Sequence, residues 1–280
     1  REAMYRAELG DDVVREDPTV NRLEELAAEM TGKEAALFVA SGTMGNLVAL
    51  LSHCRRGDEA ILGDQSHIFN YEAGGASALG GVVFHPVVTG RFGELELHAL
   101  TQAIRPAATN LHYAPPGVLC VESTHNRCGG TILPTSYLQA VRAIADQASI
   151  PVHLDGSRIF NAAIALDCNV QTFTQHVDSV QFCLSKGLAA PVGSLVCGSA
   201  DFIAQARRLR KMVGGGMRQA GVIAAAGLVA LQEMVSRLAE DHQTARTLAT
   251  GLADLPGMQL DLETVQTNIV IFGPKSLPPE

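Results

Sequence analysis

Two residues in this sequence stand where apolar runs end, and their side chains have the chemistry of a reactive site. Lys186 follows the apolar run 179–184, and Asp155 ends the apolar run 151–155. Desolvation favours the neutral amine of a lysine, which is a nucleophile. A carboxylate at the end of an apolar strand needs a cationic partner. Each residue also has an ordinary interpretation, Lys186 as a surface lysine in a turn and Asp155 as a helix N-cap.

A third feature is the run of small residues 41–46, "SGTMGN", between a strand-like and a helix-like segment. Small residues let a ligand approach the backbone, and the free N–H groups of a helix N-terminus attract an anion such as phosphate. The run is neither a Walker A loop nor a G-x-G-x-x-G fingerprint, and an ordinary N-cap turn explains it equally well. Arg158, shortly after Asp155, has the planar fork that suits a carboxylate, or it is paired at the surface.

The order of these features on an α/β frame indicates a cofactor. Pyridoxal 5′-phosphate needs a loop for its phosphate, an acid for its pyridinium nitrogen and a lysine for a Schiff base. Ligands of an open parallel sheet bind outside the carboxyl ends of the strands, where all three features are expected. The sequence therefore predicts a pyridoxal-phosphate site.

Apolar strand-like runs alternate with amphipathic helical segments, which predicts a mostly parallel sheet covered by helices on both faces. Residues 1–239 are expected to form one large domain, and residues 240–280 the start of an incomplete small α/β domain. The predicted strands are 35–40, 59–64, 81–88, 118–122, 151–155, 179–184 and 268–272. The predicted helices are 21–30, 67–80, 95–104, 137–148, 201–212, 221–240 and 242–255.

Composition excludes several classes of protein. The 280 residues are 47% hydrophobic and carry a formal net charge of -8, which suits a globular protein and not a nucleic-acid or anionic-membrane surface. The apolar run 220–231 is too short to span a bilayer and predicts a buried or subunit-interface helix.

The six cysteines show no C-x-x-C pairing. This usage favours a reducing compartment, the cytoplasm, or the mitochondrion if a targeting segment preceded the chain. Cys120, His125 and Cys128 match no zinc spacing, so no metal site is predicted.

Longer motifs extend the pattern over nearly the whole chain. The sequence resembles the low-specificity L-threonine aldolases, a family of fold-type I pyridoxal-phosphate enzymes. The motifs that carry the resemblance are "GDDVVREDPTVNRLEE" (10–25), "SGTMGN" (41–46), "GDQSHIFNYEAGG" (63–75), "ESTHNRCGG" (122–130), "HLDGSRIFNA" (153–162), "CLSKGLAAPVGS" (183–194) and "RKMVGGGMRQAG" (210–221).

The resemblance implies a role for each candidate residue at the cofactor. Lys186 would form the Schiff base and Asp155 would pair with the ring nitrogen. The loop 122–130 would lie beside the ring, with Asn126 as a contact. The phosphate would be bound by Ser41, Gly42 and Thr43.

The resemblance also implies how a substrate is held. His67 would stack on the ring and position or deprotonate the β-hydroxyl, and His112 would lie near that hydroxyl or have a structural role. Arg158 would anchor the substrate carboxylate. Lys211 and Arg218 would approach the site across a subunit interface of a homotetramer, Arg218 toward the cofactor and Lys211 toward the substrate. The neighbouring arginines Arg207, Arg208 and Arg210 are interpreted as a solvated helix face.

The implied reaction is retro-aldol cleavage of L-threonine or L-allo-threonine to glycine and acetaldehyde. Two alternatives stay open. One is another reaction of the same cofactor, such as β-elimination or transamination, since a fold does not fix which bond breaks. The other is a weakened, truncated homologue that serves as an assembly partner.

Overall fold

A computed structural model describes residues 1–105 and 110–275 of the chain. Helices and strands alternate along most of it, as the apolar pattern predicts. The strands are β1 (Ala35–Val39), β2 (Glu59–Gly63), β3 (Val83–Val87), β4 (Pro116–Glu122), β5 (Val152–Asp155), β6 (Ser179–Cys183), β7 (Ser194–Gly198), β8 (Met258–Leu260) and β9 (Phe272–Pro274). The helices are α1 (Glu2–Tyr5), α2 (Pro18–Thr31), α3 (Gly42–His53), α4 (His67–Asn70), α5 (Leu97–Ala103), α6 (Thr135–Ala148), α7 (Ile159–Ala165), α8 (Gln171–Thr174), α9 (Ala200–Met212), α10 (Gly221–Val229) and α11 (Leu238–Ala253).

Seven strands form one sheet in the order β1-β7-β6-β5-β4-β2-β3. Strands β2 to β6 pair in parallel, and β7 runs antiparallel to both β6 and β1. The mostly parallel sheet is confirmed. Strand β7 is absent from the sequence prediction because its short apolar run follows β6 closely, after a turn in which Gly193 has φ of +107°.

The sheet is buried on both faces, since every residue of β2, β6 and β7 is buried. Helix α3 lies directly on β6, where a Cβ at Gly45 would come within 2.6 Å of the Gln181 side chain. A glycine is therefore needed at this crossing, and the close approach brings Asn46, the next residue, down to the sheet.

The apolar run 220–231 is a buried helix in this chain. Gly227 of α10 packs on Leu23 and Leu184, each within 3 Å of the position a Cβ would take. The predicted helix 221–240 is divided, because a π-helical turn at 230–234 extends α10 and a turn at 235–237 then separates it from α11. Within the described ranges, no single helix is long and apolar enough to cross a membrane; only the pair 221–234 and 238–253, bent by 71°, meets both requirements together.

The predicted helix 67–80 is also wrong in part. Helix α4 ends after one turn, and Ala73 and Gly74 then adopt left-handed backbone with φ of +54° and +65°. A left-handed residue ends a right-handed helix. Residues 76–80 form a separate π-helical turn.

The end of the described chain forms a small unit of its own. Strands β8 and β9 pair only with each other, and α11 packs against α7 and β8. The predicted strand 268–272 overlaps β9 only at Phe272, because the preceding residues lie against the loop 129–130, where Thr267 donates to the Gly130 carbonyl at 2.7 Å. The division at residue 240 falls inside α11 and stays a prediction, and residues 276–280 lie outside the described residues.

Candidate active site

The site is built at the carboxyl ends of three neighbouring parallel strands. In the sheet register Glu122 of β4 lies beside Asp155 of β5, and Asp155 lies beside Gln181 of β6. Since β1 runs the same way, the "SGTMGN" loop that follows it lies at this edge too. Of the three features that the sequence groups into one site, the topology places Asp155 and the "SGTMGN" loop at this edge of the sheet.

Asp155 is 2% exposed and is held by neutral donors. Its Oδ1 accepts from Ser157 Oγ (2.9 Å), Ser157 N (3.2 Å) and Gln181 Nε2 (3.1 Å), and its Oδ2 accepts from Asn46 Nδ2 (2.9 Å). These donors stand where the sequence predicted a cationic partner. Oδ2 has one partner in this arrangement and can accept a second hydrogen bond, which suits a protonated ring nitrogen.

Asn46 connects Asp155 to a second carboxylate. The Asn46 Nδ2 also donates to Glu72 Oε1 at 2.8 Å, and the same oxygen lies 3.1 Å from His67 Nδ1. Burial raises the pKa of Glu72, while its hydrogen bond raises the pKa of His67. His67 is therefore supported as a base by a buried acid.

The side chains of His67, Glu72 and Asp155 offer ligand atoms within 4.8 Å of one another, which is also a metal-ligand spacing. Both carboxylates already accept a hydrogen from Asn46, and His67 is bonded to Glu72. These hydrogen bonds account for the grouping. Among the described residues, metal-ligand spacing is found in this cluster and not around His125 and Cys128, which were considered as zinc ligands from the sequence.

Glu122 fixes the loops on either side by their backbones. Its Oε2 accepts from the N–H of His67 at 2.6 Å, and its Oε1 accepts from the N–H of Asn126 at 2.8 Å. Burial raises the pKa of Glu122 to about 7, and the charge of Asp155 adds to the effect. Asn126 in turn accepts from Arg158 Nη1 at 3.0 Å. Glu122 thus sets the position of His67, the predicted base, and, through Asn126, of Arg158, the predicted carboxylate anchor.

The predicted phosphate loop forms the first turn of α3. Ser41 is its N-cap and accepts from Met44 N at 3.1 Å, while Ser41 and Thr43 are exposed and Gly42 is half-buried. The first N–H groups of a helix have no partner within it. They are available to an anion, so the N-cap turn and the anion-binding interpretation describe the same feature.

Lys186 is half-buried in the turn after β6. Its carbonyl accepts from Ala189 N at 2.9 Å, and Cys183 at the end of the strand lies 3.5 Å from Ser157 Oγ. The turn that carries Lys186 therefore adjoins the loop that follows Asp155, at the edge of the sheet described above.

Three predicted residues lie apart from this hydrogen-bonded cluster. His112 is in an exposed turn, where its N–H donates to Asn110 Oδ1 at 3.0 Å. Lys211 is exposed, and the Arg218 side chain is 61% exposed and pairs with Asp11 at 2.5 Å. Their roles at an active site stay predictions.

The interpretation of the neighbouring arginines as a solvated face is wrong for two of them. Arg210 is 2% exposed and bonds Asp12 Oδ2 and the Phe38 carbonyl, each at 2.7 Å. Arg207 pairs with the buried Glu24 at 2.5 Å, whereas Arg208 is exposed. The buried acids come from the N-terminal segment and α2, which charge patterning within α9 alone does not reveal.

Sequence reasoning assigned no role to Asn46, Glu72 or Gln181, nor to two further polar residues of the buried strands, His153 and Ser179. A signal for some of them exists. His153 and Asp155 in β5, and Ser179 and Gln181 in β6, are spaced by two, so each pair lies on one face of its strand. Paired polar residues in fully buried strands indicate a polar site on that face.

A mostly parallel sheet whose strand ends present an acid, a lysine and a helix N-terminus defines an enzyme of the pyridoxal-phosphate fold-type I class. Comparison with known proteins identifies the family within this class. A profile of the beta-eliminating lyase family matches residues 1–273. The chain belongs to that family, whose members depend on pyridoxal phosphate.

The chain is 49% identical over 271 residues to the probable low-specificity L-threonine aldolase 2 of Arabidopsis thaliana, covering 96% of this chain and 76% of the relative. It is 47% identical over 253 residues to the low specificity L-threonine aldolase of Escherichia coli K12, covering 90% and 74%. The fold resembles a putative L-allo-threonine aldolase of Listeria monocytogenes, with a TM-score of 0.84 at 20% identity, covering 95% of this chain and 73% of that one.

Proposed function

We propose that this protein is a pyridoxal-phosphate-dependent aldolase that cleaves L-threonine and L-allo-threonine to glycine and acetaldehyde. The observation that carries the proposal is the cluster in which Asp155, ready to accept one more hydrogen bond, is joined through Asn46 and Glu72 to His67. The relatives with 47 to 49% identity support the same reaction.

The residues present fit the cofactor. Lys186 supplies the amine for the covalent link, Asp155 the partner of the ring nitrogen, and the first turn of α3 the donors for the phosphate. Two buried polar atoms beside the site, Thr124 Oγ1 and His125 Nδ1, have no partner among the described residues. When bound, pyridoxal phosphate supplies an electron sink for the pair released as the Cα–Cβ bond breaks.

His67 is the base that this arrangement supports. Its Nδ1 faces the Glu72 carboxylate at 3.1 Å, so Nδ1 carries the hydrogen and Nε2 is free to accept the proton of the β-hydroxyl, directly or through water. Glu72 stabilises the imidazolium that forms.

Arg158 holds the substrate carboxylate in this proposal. Its guanidinium is fixed by the 3.0 Å bond to Asn126, and burial lowers its pKa. A guanidinium withdrawn from solvent and already oriented loses little entropy when it binds a carboxylate. By anchoring the carboxylate, Arg158 would determine which Cα bond of the substrate is oriented for cleavage.

The deciding experiment measures cofactor and product together. The purified protein is expected to show visible Schiff-base absorbance and to release acetaldehyde and glycine from both threonines. Lys186→Ala is expected to lose the absorbance, and borohydride reduction is expected to mark the peptide containing Lys186. Lys275→Ala, an exposed lysine, is the matched control and should change neither.

Other outcomes of this experiment count against the proposal. An absorbance that persists in Lys186→Ala would remove that lysine from its role. If the absorbance is present but a keto acid forms in place of acetaldehyde, β-elimination or transamination is favoured. If the wild type shows no Schiff-base absorbance, the role of an assembly partner is favoured.

We also propose a homotetramer, in a reducing compartment such as the cytoplasm. The exposed positions of Lys211 and Arg218 support contributions across a subunit interface, and all six cysteines are free thiols. Sedimentation of the purified protein tests the assembly. Rapid acid quenching of cells, followed by alkylation of the unfolded natural protein and mass analysis, tests the compartment, since four of the six thiols are buried in the folded chain. Fewer than six alkylated thiols would contradict a reducing compartment.

A further inference from the structure

A line of hydrogen-bonded side chains runs between α3 and the sheet and ends at Asp155. His53 Nε2 lies 2.7 Å from Ser179 Oγ, which lies 2.8 Å from His153 Nδ1. His153 Nε2 lies 3.1 Å from Asn46 Oδ1, and Asn46 Nδ2 lies 2.9 Å from Asp155 Oδ2. His53 is half-buried, and the other four residues are buried. The line connects the far end of α3 with the predicted cofactor acid.

Chemistry fixes where each hydrogen in this line lies. The Asn46 atom between two carboxylate oxygens must be the NH₂ group, so Oδ1 faces His153 and needs a donor. His153 Nε2 must therefore carry a hydrogen. Complete burial lowers the pKa of His153 to about 3, so the ring is neutral and Nδ1 is an acceptor for the Ser179 hydroxyl.

The same logic extends to the outer end of the line. Since Ser179 gives its hydrogen to His153, its oxygen accepts one from His53 Nε2. Burial lowers the pKa of His53 to about 4, so this ring is neutral as well. Every donor in the line thus points toward Asp155, and no member can reverse its bond without leaving a buried polar atom unpaired.

We propose that His153 is a positioning residue for the cleavage reaction, which fixes the Asn46 amide so that one hydrogen holds Asp155 and the other holds Glu72. The inference rests on the proposed function. In the proposed reaction Asp155 would hold the ring nitrogen of the cofactor, and Glu72 would support His67 as the base for the β-hydroxyl. One amide therefore sets both the electron sink and the base, and His153 determines the orientation of that amide.

Three variants of His153 separate positioning from packing. His153→Phe keeps a ring without hydrogen bonds. His153→Gln can place an amide N–H near the position of Nε2 and so still reach Asn46. His153→Asn has the same chemistry but is shorter, so its amide lies near the position of Nδ1, facing Ser179. The glutamine variant is the rescue and the asparagine variant its matched control.

The first measurement uses cofactor-free protein. Long-range ¹H–¹⁵N spectra are expected to show His153 as the neutral tautomer with its hydrogen on Nε2 from about pH 5 to about pH 8. A hydrogen on Nδ1, or a charged ring in this range, would overturn the proposal. This result does not depend on cofactor binding, so it is distinguishable from a failure of the proposed function, which the absence of Schiff-base absorbance in the wild type would indicate.

The second measurement uses the protein loaded with ¹⁵N-labelled cofactor. The phenylalanine and asparagine variants are expected to shift the ring-nitrogen signal toward its unprotonated position and to lower kcat about tenfold with little change in KM. The glutamine variant should retain the wild-type signal and most of kcat. If glutamine and asparagine behave alike, or if kcat follows only the loss of stability in urea, His153 is a packing residue and the proposal is wrong.

Discussion

Glu122 acts on the site through backbone groups and not through a side-chain partner. Its two oxygens accept the N–H groups of His67 and Asn126, 2.6 and 2.8 Å away. These donors favour the carboxylate, whereas burial and the neighbouring Asp155 favour the protonated acid, and burial has the larger effect on the pKa. The residue that fixes two loops therefore titrates near neutral pH.

This titration predicts a pH-dependent stability. The pKa of folded Glu122, about 7, lies above its ordinary value of 4.5, so the folded chain binds the proton more tightly. The stability from this difference is fully present below about pH 4.5 and is lost as the pH rises through about 7, on the order of 3 kcal/mol in total. We expect urea unfolding of the cofactor-free protein to show this loss and Glu122→Gln to lack it.

The exposed Glu25 supplies the control for this measurement. Glu25→Gln should follow the wild-type pH profile throughout. A constant difference in unfolding free energy between the wild type and Glu122→Gln, from about pH 5 to about pH 8, would contradict the prediction.

His67 carries a second prediction at this scale. Replacing it by asparagine should lower kcat by roughly 10² to 10³ while the visible absorbance is retained, since general bases contribute about this much. The hydrogen bond to Glu72 raises the pKa of His67 above 6.5, and the base must be neutral. The wild-type rate should therefore rise with pH through a value above 6.5, and His98→Asn, an exposed histidine on α5, should behave as the wild type. A full rate in His67→Asn would assign the proton transfer elsewhere.

At the scale of elements, helix α9 shows both what the sequence reveals and what it conceals. Its buried positions Ile203, Ala206 and Arg210 follow helical spacing, so Arg210 belongs to the inward face although its charge suggests the outward one. The acid that pairs with it, Asp12, comes from a distant segment of the chain. Periodicity could have placed the arginine inward, but only the tertiary structure supplies its partner.

The same distinction holds for the site as a whole. The positions of Asp155 at the end of β5 and of Lys186 in the turn after β6 could be predicted, because parallel sheets bind ligands outside the carboxyl ends of their strands. Asn46 and Glu72 could not, because their roles depend on a meeting between α3 and the loop after α4. Strand β7 and the end of α4 were missed because a short apolar run and a single left-handed alanine, Ala73, carry weak local signals.

The buried pair in α9 predicts a large effect on stability. Arg210→Met should lower the free energy of unfolding by about 3 kcal/mol or more, since it leaves Asp12 buried with Arg207 at 3.9 Å as the remaining cation. Arg208 is exposed and lies two residues before Arg210 in the same helix. Arg208→Met should change the free energy of unfolding by less than about 0.5 kcal/mol. Urea unfolding measures both, and equal effects of the two substitutions would show that the buried pair contributes nothing specific.

At the scale of the whole molecule, Arg218 offers a test of how subunits share a site. Its side chain is 61% exposed and its described partner is Asp11, outside the cluster around Asp155. If Arg218 serves a neighbouring subunit, Lys186→Ala and Arg218→Ala are each inactive alone but complement one another when mixed. Random mixing into dimers should restore about a quarter of the wild-type activity. If verified hybrid assemblies recover no activity, Arg218 does not serve the active site of a neighbouring subunit.

The sheet ends at β3, a strand whose outer edge has no neighbouring strand in the described part of the chain. An open edge invites another chain to add a strand, which is a common start of aggregation. Pro86 lies within β3 and has no N–H to offer, and β3 is five residues long. The side of the molecule farthest from β1 therefore carries its own protection against polymerisation, and Pro86→Thr is expected to increase turbidity on heating, without a change in the secondary structure measured beforehand by circular dichroism.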